Sequence, residues 1–174
     1  MENTPSQASK VLTSQHRNAN VQAAYMQHIA RRNQTADTSC DMCRLIQEKP
    51  IQPEALQSSQ ELAALAMNEV CIIENEFPYE NNDGREVVLH HMLVPKEHHS
   101  KSTELSASTR RELHDTLDEL LGSGTYDSAY TRSSYSPTSS VPLHLHTHLF
   151  KFGAKVTKQM FDPANNVNEI VFDK

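Results

Sequence analysis

No stretch of this chain approaches the ~18 consecutive apolar residues that a membrane-crossing helix requires, and its mean hydropathy is −0.62. Basic residues are also scarce. Lys and Arg number 16 against 22 Asp and Glu, a formal net charge of −6, which argues against a nucleic-acid coat and against a polybasic membrane tether. The amino terminus, Met1-Glu-Asn-Thr-Pro-Ser-Gln7, has neither the basic nor the apolar region of a signal peptide, so the expectation is a cytoplasmic protein. Cysteines number only three, too few and too odd for a disulfide framework. Two of them stand as Cys40-Asp-Met-Cys43, which in a reducing compartment reads as metal or redox chemistry. Cys71, alone in an apolar run, is expected in the core.

What remains fits one domain with a good core plus an extension. Residues 1–14 are polar and rich in Ser, Gln and Asn, the composition of a disordered segment. From about Ser14 to Arg32, Val21, Tyr25, Met26 and Ile29 recur at helical spacing. Residues 1–37 are therefore assigned to an N-terminal extension with a helix, and 38–174 to the domain. Cys40 and Cys43 are placed in a tight loop before a short helical piece, Arg44 to Glu48, stopped by Pro50. Val70-Cys-Ile-Ile-Glu74 reads as a strand, Glu80-Asn-Asn-Asp-Gly84 as a turn, and Arg85 to Val94 as a second strand ended by Pro95. Leu113, Leu117, Leu120 and Leu121 form one stripe of a helix from Ser106 to Leu121, with Gly122 as its stop. Strands at Tyr126–Ser133 and Glu169–Phe172 complete an α+β domain: an antiparallel sheet with a packed helix, extended by the N-terminal helix.

The run Val141-Pro-Leu-His-Leu-His-Thr-His-Leu-Phe150 is the most informative in the chain. On a strand, residues two apart share a face at roughly 7 Å, so His144, His146 and His148 would form an imidazole row, with Leu143, Leu145 and Leu149 on the apolar side. Histidine has no special strand preference. Three in register point to metal binding, phosphate chemistry or both.

This run resembles the His-x-His-x-His signature of the histidine triad family of nucleotide hydrolases and transferases. His90-His-Met-Leu-Val-Pro-Lys-Glu-His98 is similar to that family's strand ending in Pro-Lys-x-His, and Asn75-Glu-Phe-Pro78 to the Asn-x-x-Pro of its fragile-histidine-triad branch. Cys40-x-x-Cys43 sits where many bacterial members begin. The resemblance covers about residues 40–152. It implies a histidine-triad fold and a nucleotide hydrolase acting at the α-phosphorus of a dinucleoside polyphosphate or a nucleoside phosphoramidate.

By that resemblance His146 is the nucleophile, and neutral imidazole suits the role because it attacks phosphorus at pH 7 without a strong base. His148 would donate to the phosphate or leaving group, and His90 would be the fourth histidine, with His91 facing the other way. Transferase relatives such as galactose-1-phosphate uridylyltransferase carry Gln where His148 stands, so His148 favours hydrolysis. Asn75 would bind the ribose hydroxyls, and Ile73 would line either the base pocket or the core. The family serine before the triad falls on Val141 by strict counting, on Ser140 or Ser139 if residues are inserted. Arg132 stands where members often have Asn. The loop at 134–140 has no glycine, unlike the family's.

The resemblance also implies a structural Zn²⁺ held by Cys40, Cys43, His98 and His144, with His99 as the substitute for His98. Two thiolates and two imidazoles would close a tetrahedral sphere. Relatives are commonly homodimers, and a homodimer with a nucleotide ligand is expected here. Three other readings stand beside hydrolysis: a nucleotidyltransferase or phosphorylase, a nucleotide-binding sensor or scaffold with little turnover, and an imidazole row that holds a catalytic metal. Lys151, Lys155 and Lys158 either attract phosphate or form a solvated face.

Overall fold

The computed structural model describes residues 8–12, 16–35, 39–56, 67–131, 144–165 and 167–173. Eight strands and three α-helices are found among them: β1 (Ala8–Leu12), α1 (Ala19–Thr35), α2 (Asp41–Glu48), β2 (Pro50–Ile51), β3 (Val70–Glu74), β4 (Asn81–Asn82), β5 (Arg85–Pro95), α3 (Ala107–Gly122), β6 (Ser128–Thr131), β7 (Thr147–Asp162) and β8 (Val167–Phe172). The pairs β1–β8, β2–β3, β3–β5, β4–β5, β6–β7 and β7–β8 are all antiparallel. The class is α+β, as the sequence pattern implies.

Contacts divide the chain into two compact units. One comprises 1–37, 76–89 and 152–174; the other comprises 38–75 and 90–151. β5 and β7 each contribute residues to both.

In the second unit the β-branched run of β3 is buried on both faces. Val70 and Ile72 join Leu93, Leu149, Tyr126 and the helical Leu120 in one cluster, with Leu113 and Leu117 against it. Cys71 and Ile73 face the other way, packing with Met92, Val94 and the Met42 and Leu45 of α2. Each fully buried Leu or Ile side chain contributes about 1.5–3 kcal/mol, so the two clusters clamp β3 and β5 between α3 and α2. Ser106 caps α3 by accepting from the Thr109 amide at 3.0 Å, while the Glu112 side chain accepts from the Glu69 and Val70 amides. Two details differ from the sequence reading. Leu121 is exposed although it falls in the leucine stripe, because the stripe closes on Leu120. The residue with positive φ after the helix is Gly124, at 73°, so the stop lies two positions beyond Gly122.

In the first unit Asp83 and Gly84 both have positive φ, 50° and 68°, the requirement of a type I′ hairpin between β4 and β5. β1 is a correction: a polar segment expected to be disordered pairs with β8, Ala8 opposite Phe172 through Leu12 opposite Asn168. One anchor suffices for an added edge strand, and Leu12 supplies it, fully buried with Ile170 and Phe172. Lys10 adds an ion pair to Glu86 at 2.9 Å. α1 starts after Asn18, whose side chain accepts from the Val21 amide at 3.0 Å. Tyr25 meets Phe77 edge-on, and Met26, counted in the apolar stripe, is exposed.

Candidate active site

The histidine run is not one continuous strand. β7 begins at Thr147, so His148 lies in the sheet while His144 and His146 precede it. The lead-in is held by other means. The Leu145 amide donates to the His99 carbonyl at 2.6 Å, and His146 Nδ1 donates to the main-chain oxygen of His144 at 2.9 Å. As a result the three rings do not form a row. His146 and His148 are neighbours, ring centroids 5.0 Å apart and nearly perpendicular. The His144 ring is turned toward the cysteines.

On the face of β5 and β7 away from α3, His90 Nε2 lies 2.8 Å from His148 Nδ1 and accepts from Asn75 Nδ2 at 3.0 Å. Asn75, at the end of β3, is held there by its amide, which donates to the His90 carbonyl. Phe150 floors the pair, 4.5 Å from the His90 ring and 6.0 Å from the His148 ring. His90, His146 and His148 are all buried, His146 at 7 % exposure. His91 points to the opposite face, where its Nδ1 lies 2.6 Å from the Tyr126 hydroxyl, within hydrogen-bond distance. Burial holds the His91 imidazole below its ordinary range, with Glu74 opposing in part.

The His146 hydrogen bond has a chemical consequence. A neutral imidazole that donates from Nδ1 carries its lone pair on Nε2. The ring thus presents Nε2 as its basic atom, beside a histidine whose own orientation is fixed through His90 and Asn75.

The second cluster is built by α2, the turn after β5 and the lead-in to β7. Cys40 is the N-cap of α2 and Cys43 lies within its first turn, so the helix begins earlier than Arg44 and presents both thiols from one turn rather than from a loop. His144 Nδ1 is 3.3 Å from Cys40 Sγ and 3.5 Å from Cys43 Sγ; His98 Nδ1 is 3.3 Å from Cys43 Sγ. The ligand atoms of all four lie within 4.8 Å of one another. A tetrahedral zinc with bonds of about 2.0 Å to nitrogen and 2.3 Å to sulfur would set S···N edges of about 3.5 Å. The donor set and its spacing fit such an ion.

His144 Nε2 sits 3.0 Å from the Pro95 carbonyl, the outer contact that fixes a ligating imidazole. Burial and the flanking imidazoles of His98, His146 and His99 lower its pKa, against the Pro95 contact, so it is held neutral, as a ligand must be. Burial and the adjacent Cys40 push the Cys43 thiol up to about 11; a divalent cation would reverse that balance by stabilising the thiolates. His99 is not part of the cluster; its ring is near Glu97.

Ile73 is fully buried among Cys71, Met92 and the α2 side chains, where it packs the core. Cys71 is buried beside it, its thiol pushed up to about 11 by burial. Arg132, Ser139 and Ser140 lie outside the described residues. Lys151 pairs with Asp127 at 3.1 Å and donates to the Gly124 carbonyl; Lys155 and Lys158 are exposed or nearly so at the start of the β7–β8 ribbon. Two residues of the site escaped the sequence reading. Phe150 shares the face of His148 by the period-2 rule and was legible on that ground. Tyr130 stands opposite His148 on β6, its ring 6.4 Å away and near parallel, a register that the sequence does not encode locally.

No protein-family model matches the chain, and no curated protein does. Among solved structures, a histidine triad protein from Clostridium difficile is similar at a TM-score of 0.40 and 15 % identity, over 70 % of this chain and 96 % of that one.

Proposed function

We propose that the chain is a nucleotide hydrolase of the histidine triad type, acting at the α-phosphorus of a dinucleoside polyphosphate or a nucleoside phosphoramidate. The observation that carries this reading is the 2.9 Å hydrogen bond from His146 Nδ1 to the His144 carbonyl, which puts the lone pair on Nε2. In the reaction, His146 Nε2 bonds to phosphorus as the bond to the leaving group breaks, and His148 gives the leaving atom its proton. Positive charge that develops on the His146 ring is stabilised through Nδ1–H by the same carbonyl. Water then attacks the nucleotidyl-histidine, His148 takes the water's proton, and the P–N bond breaks to return neutral His146. Such transfers depend mainly on positioning and charge stabilisation, and Asn75 and His90 supply the positioning of His148.

Asn75 Nδ2 is engaged by His90, so contact with the ribose hydroxyls falls to its Oδ1. Arg132, Ser139 and Ser140 are assigned to the phosphates, as the motif spacing implies. A metal bound by Cys40, Cys43, His98 and His144 would supply positive charge that holds two thiolates together, and the site would be structural. The reading in which all three triad histidines bind one catalytic metal is disfavoured by the His144 ring, which converges on the cysteines and not on His146 and His148.

The test is release of nucleoside monophosphate from a dinucleoside polyphosphate and from a nucleoside phosphoramidate. Wild-type protein should turn over at least one of them, and His146→Asn should lose turnover while still binding the nucleotide. Equal rates for the two proteins would overturn the assignment. Tight binding with no turnover by the wild type would favour a nucleotide sensor.

A further inference from the structure

Tyr130 closes a row of side chains on the imidazole face of the second unit. Across four neighbouring strands that row carries Asn75 at the end of β3, His90 on β5, His148 on β7 and Tyr130 on β6. Residues opposite one another in an antiparallel pair share a face, and Tyr130 is opposite His148. The adjacent pair fixes that register, the Thr131 and Thr147 hydroxyls lying 2.7 Å apart. Exposure rises along the row, from 4 % at His90 and 8 % at His148 to 52 % at Tyr130. The rings around His148 are near parallel: Phe150 differs from it by 11° and Tyr130 by 23°. A tyrosine suits a strand by propensity alone, but propensity does not align its ring with a buried imidazole.

We propose that Tyr130 is a specificity-determining residue whose ring stacks against a planar ring in the leaving group, so that a nucleoside phosphoramidate of an aromatic amine is preferred to a dinucleoside polyphosphate. The preference presupposes His146 as the nucleophile and His148 as the donor to the leaving atom, as read above. With the ribose at Asn75 and phosphorus at His146, the leaving atom lies at His148, and Tyr130 is one strand further on. Neighbouring strands are about 4.8 Å apart, so Tyr130 meets the first few atoms beyond the scissile bond. In the phosphoramidate of an aromatic amine those atoms lead directly into the ring. In a dinucleoside polyphosphate they are the next phosphates, and the second base comes only after them. The face of a phenol ring carries the negative side of its quadrupole, which pairs with the edge or the offset face of another ring and offers nothing to a phosphate anion. During transfer the P–N bond to the amine breaks as His146 Nε2 bonds to phosphorus. The proton from His148 goes to the departing nitrogen, and the amine leaves neutral.

The probes are the nucleoside phosphoramidates of benzylamine and of cyclohexylmethylamine, matched in size and charge but differing in ring planarity, together with a dinucleoside triphosphate. In the full-length wild type, kcat/KM should be about 3- to 10-fold higher for the benzylamine compound than for its saturated counterpart, the size of one aromatic pair. The dinucleoside triphosphate should be the poorer substrate. Tyr130→Leu keeps an apolar side chain on the strand without a ring and should bring the benzyl-to-cyclohexylmethyl ratio to about 1, whereas Tyr130→Phe should keep it. A ratio taken within one protein does not depend on how much of a variant folds. Calorimetric titration of His146→Asn with the same two compounds should show the same preference without turnover, lost when Tyr130→Leu is added.

A ratio near 1 in the wild type, or an unchanged ratio in Tyr130→Leu, would overturn the stacking role. A changed oligomeric state in Tyr130→Leu with that ratio unchanged would assign Tyr130 to an interface between copies instead. If no compound is turned over while the affinity preference persists and depends on Tyr130, the stacking role stands and the hydrolase reading fails. Equal affinities without turnover would remove both.

Discussion

His90 Nε2 lies 2.8 Å from His148 Nδ1, and the same His90 atom accepts from Asn75. A residue on β5 thus sets the direction in which the ring of a β7 histidine points. Replacing His90 by Phe keeps a ring against Phe150 but deletes both hydrogen bonds. The expected result is a fall in kcat of about 100-fold with KM little changed, the size of effect that misorientation of a reacting group produces. Steady-state kinetics on the purified variant check it, and Asn75→Ala should give a smaller loss in the same direction.

Metal binding should discriminate between two adjacent histidines. His98→Ala removes a ligand atom 3.3 Å from Cys43 Sγ and should weaken Zn²⁺ affinity by about 100-fold or more. His99→Ala should leave affinity within a few-fold of wild type, since that ring faces Glu97. Competition titration against a chromogenic chelator measures both.

Acidification should destabilise the fold through His91. Burial depresses its folded pKa below the ordinary 6.5, so the unfolded chain binds more protons than the folded one in that range. Stability is then full above about 6.5 and is lost as pH falls toward the depressed folded value. The urea midpoint should fall between about pH 7.5 and about pH 5.5, and His91→Gln should flatten part of that fall.

Gly153 is required by close approach of neighbouring side chains. A Cβ there would stand 2.8 Å from Val88 Cγ1 and 2.8 Å from Glu86 Oε2. The Glu86 carboxylate can swing, although Lys10 holds it; the Val88 methyl sits on a stiff branched side chain. Gly153→Ala should cost roughly 1–3 kcal/mol, the range for overpacking, read as a lower urea midpoint with unchanged slope.

Much of this arrangement was legible in the chain. The β-branched run at 70–74, the Asp83-Gly84 turn and the leucines of α3 obey local rules, and local rules suffice for them. The pairing of Cys40 and Cys43 with His98 and His144 came from motif order and is realised as one cluster of ligand atoms. Three features were not legible. Ala8–Leu12 becomes a strand only because β8 offers an edge, a long-range pairing that composition cannot reveal. Strict alternation placed His144 beside His146, but the strand starts at Thr147 and the cysteines draw the His144 ring elsewhere. The length of β7, through Asp162, depends on its pairing with β8 and not on an apolar pattern of its own.

The most direct measurement is the intact mass of the protein quenched in acid-free denaturant milliseconds after mixing with substrate, followed by peptide mapping. The account predicts a mass gain of one nucleoside monophosphate unit less water, located on His146 and absent in His146→Asn. Rapid substrate turnover with no adduct under any quench time, or an adduct on a different side chain, would contradict it.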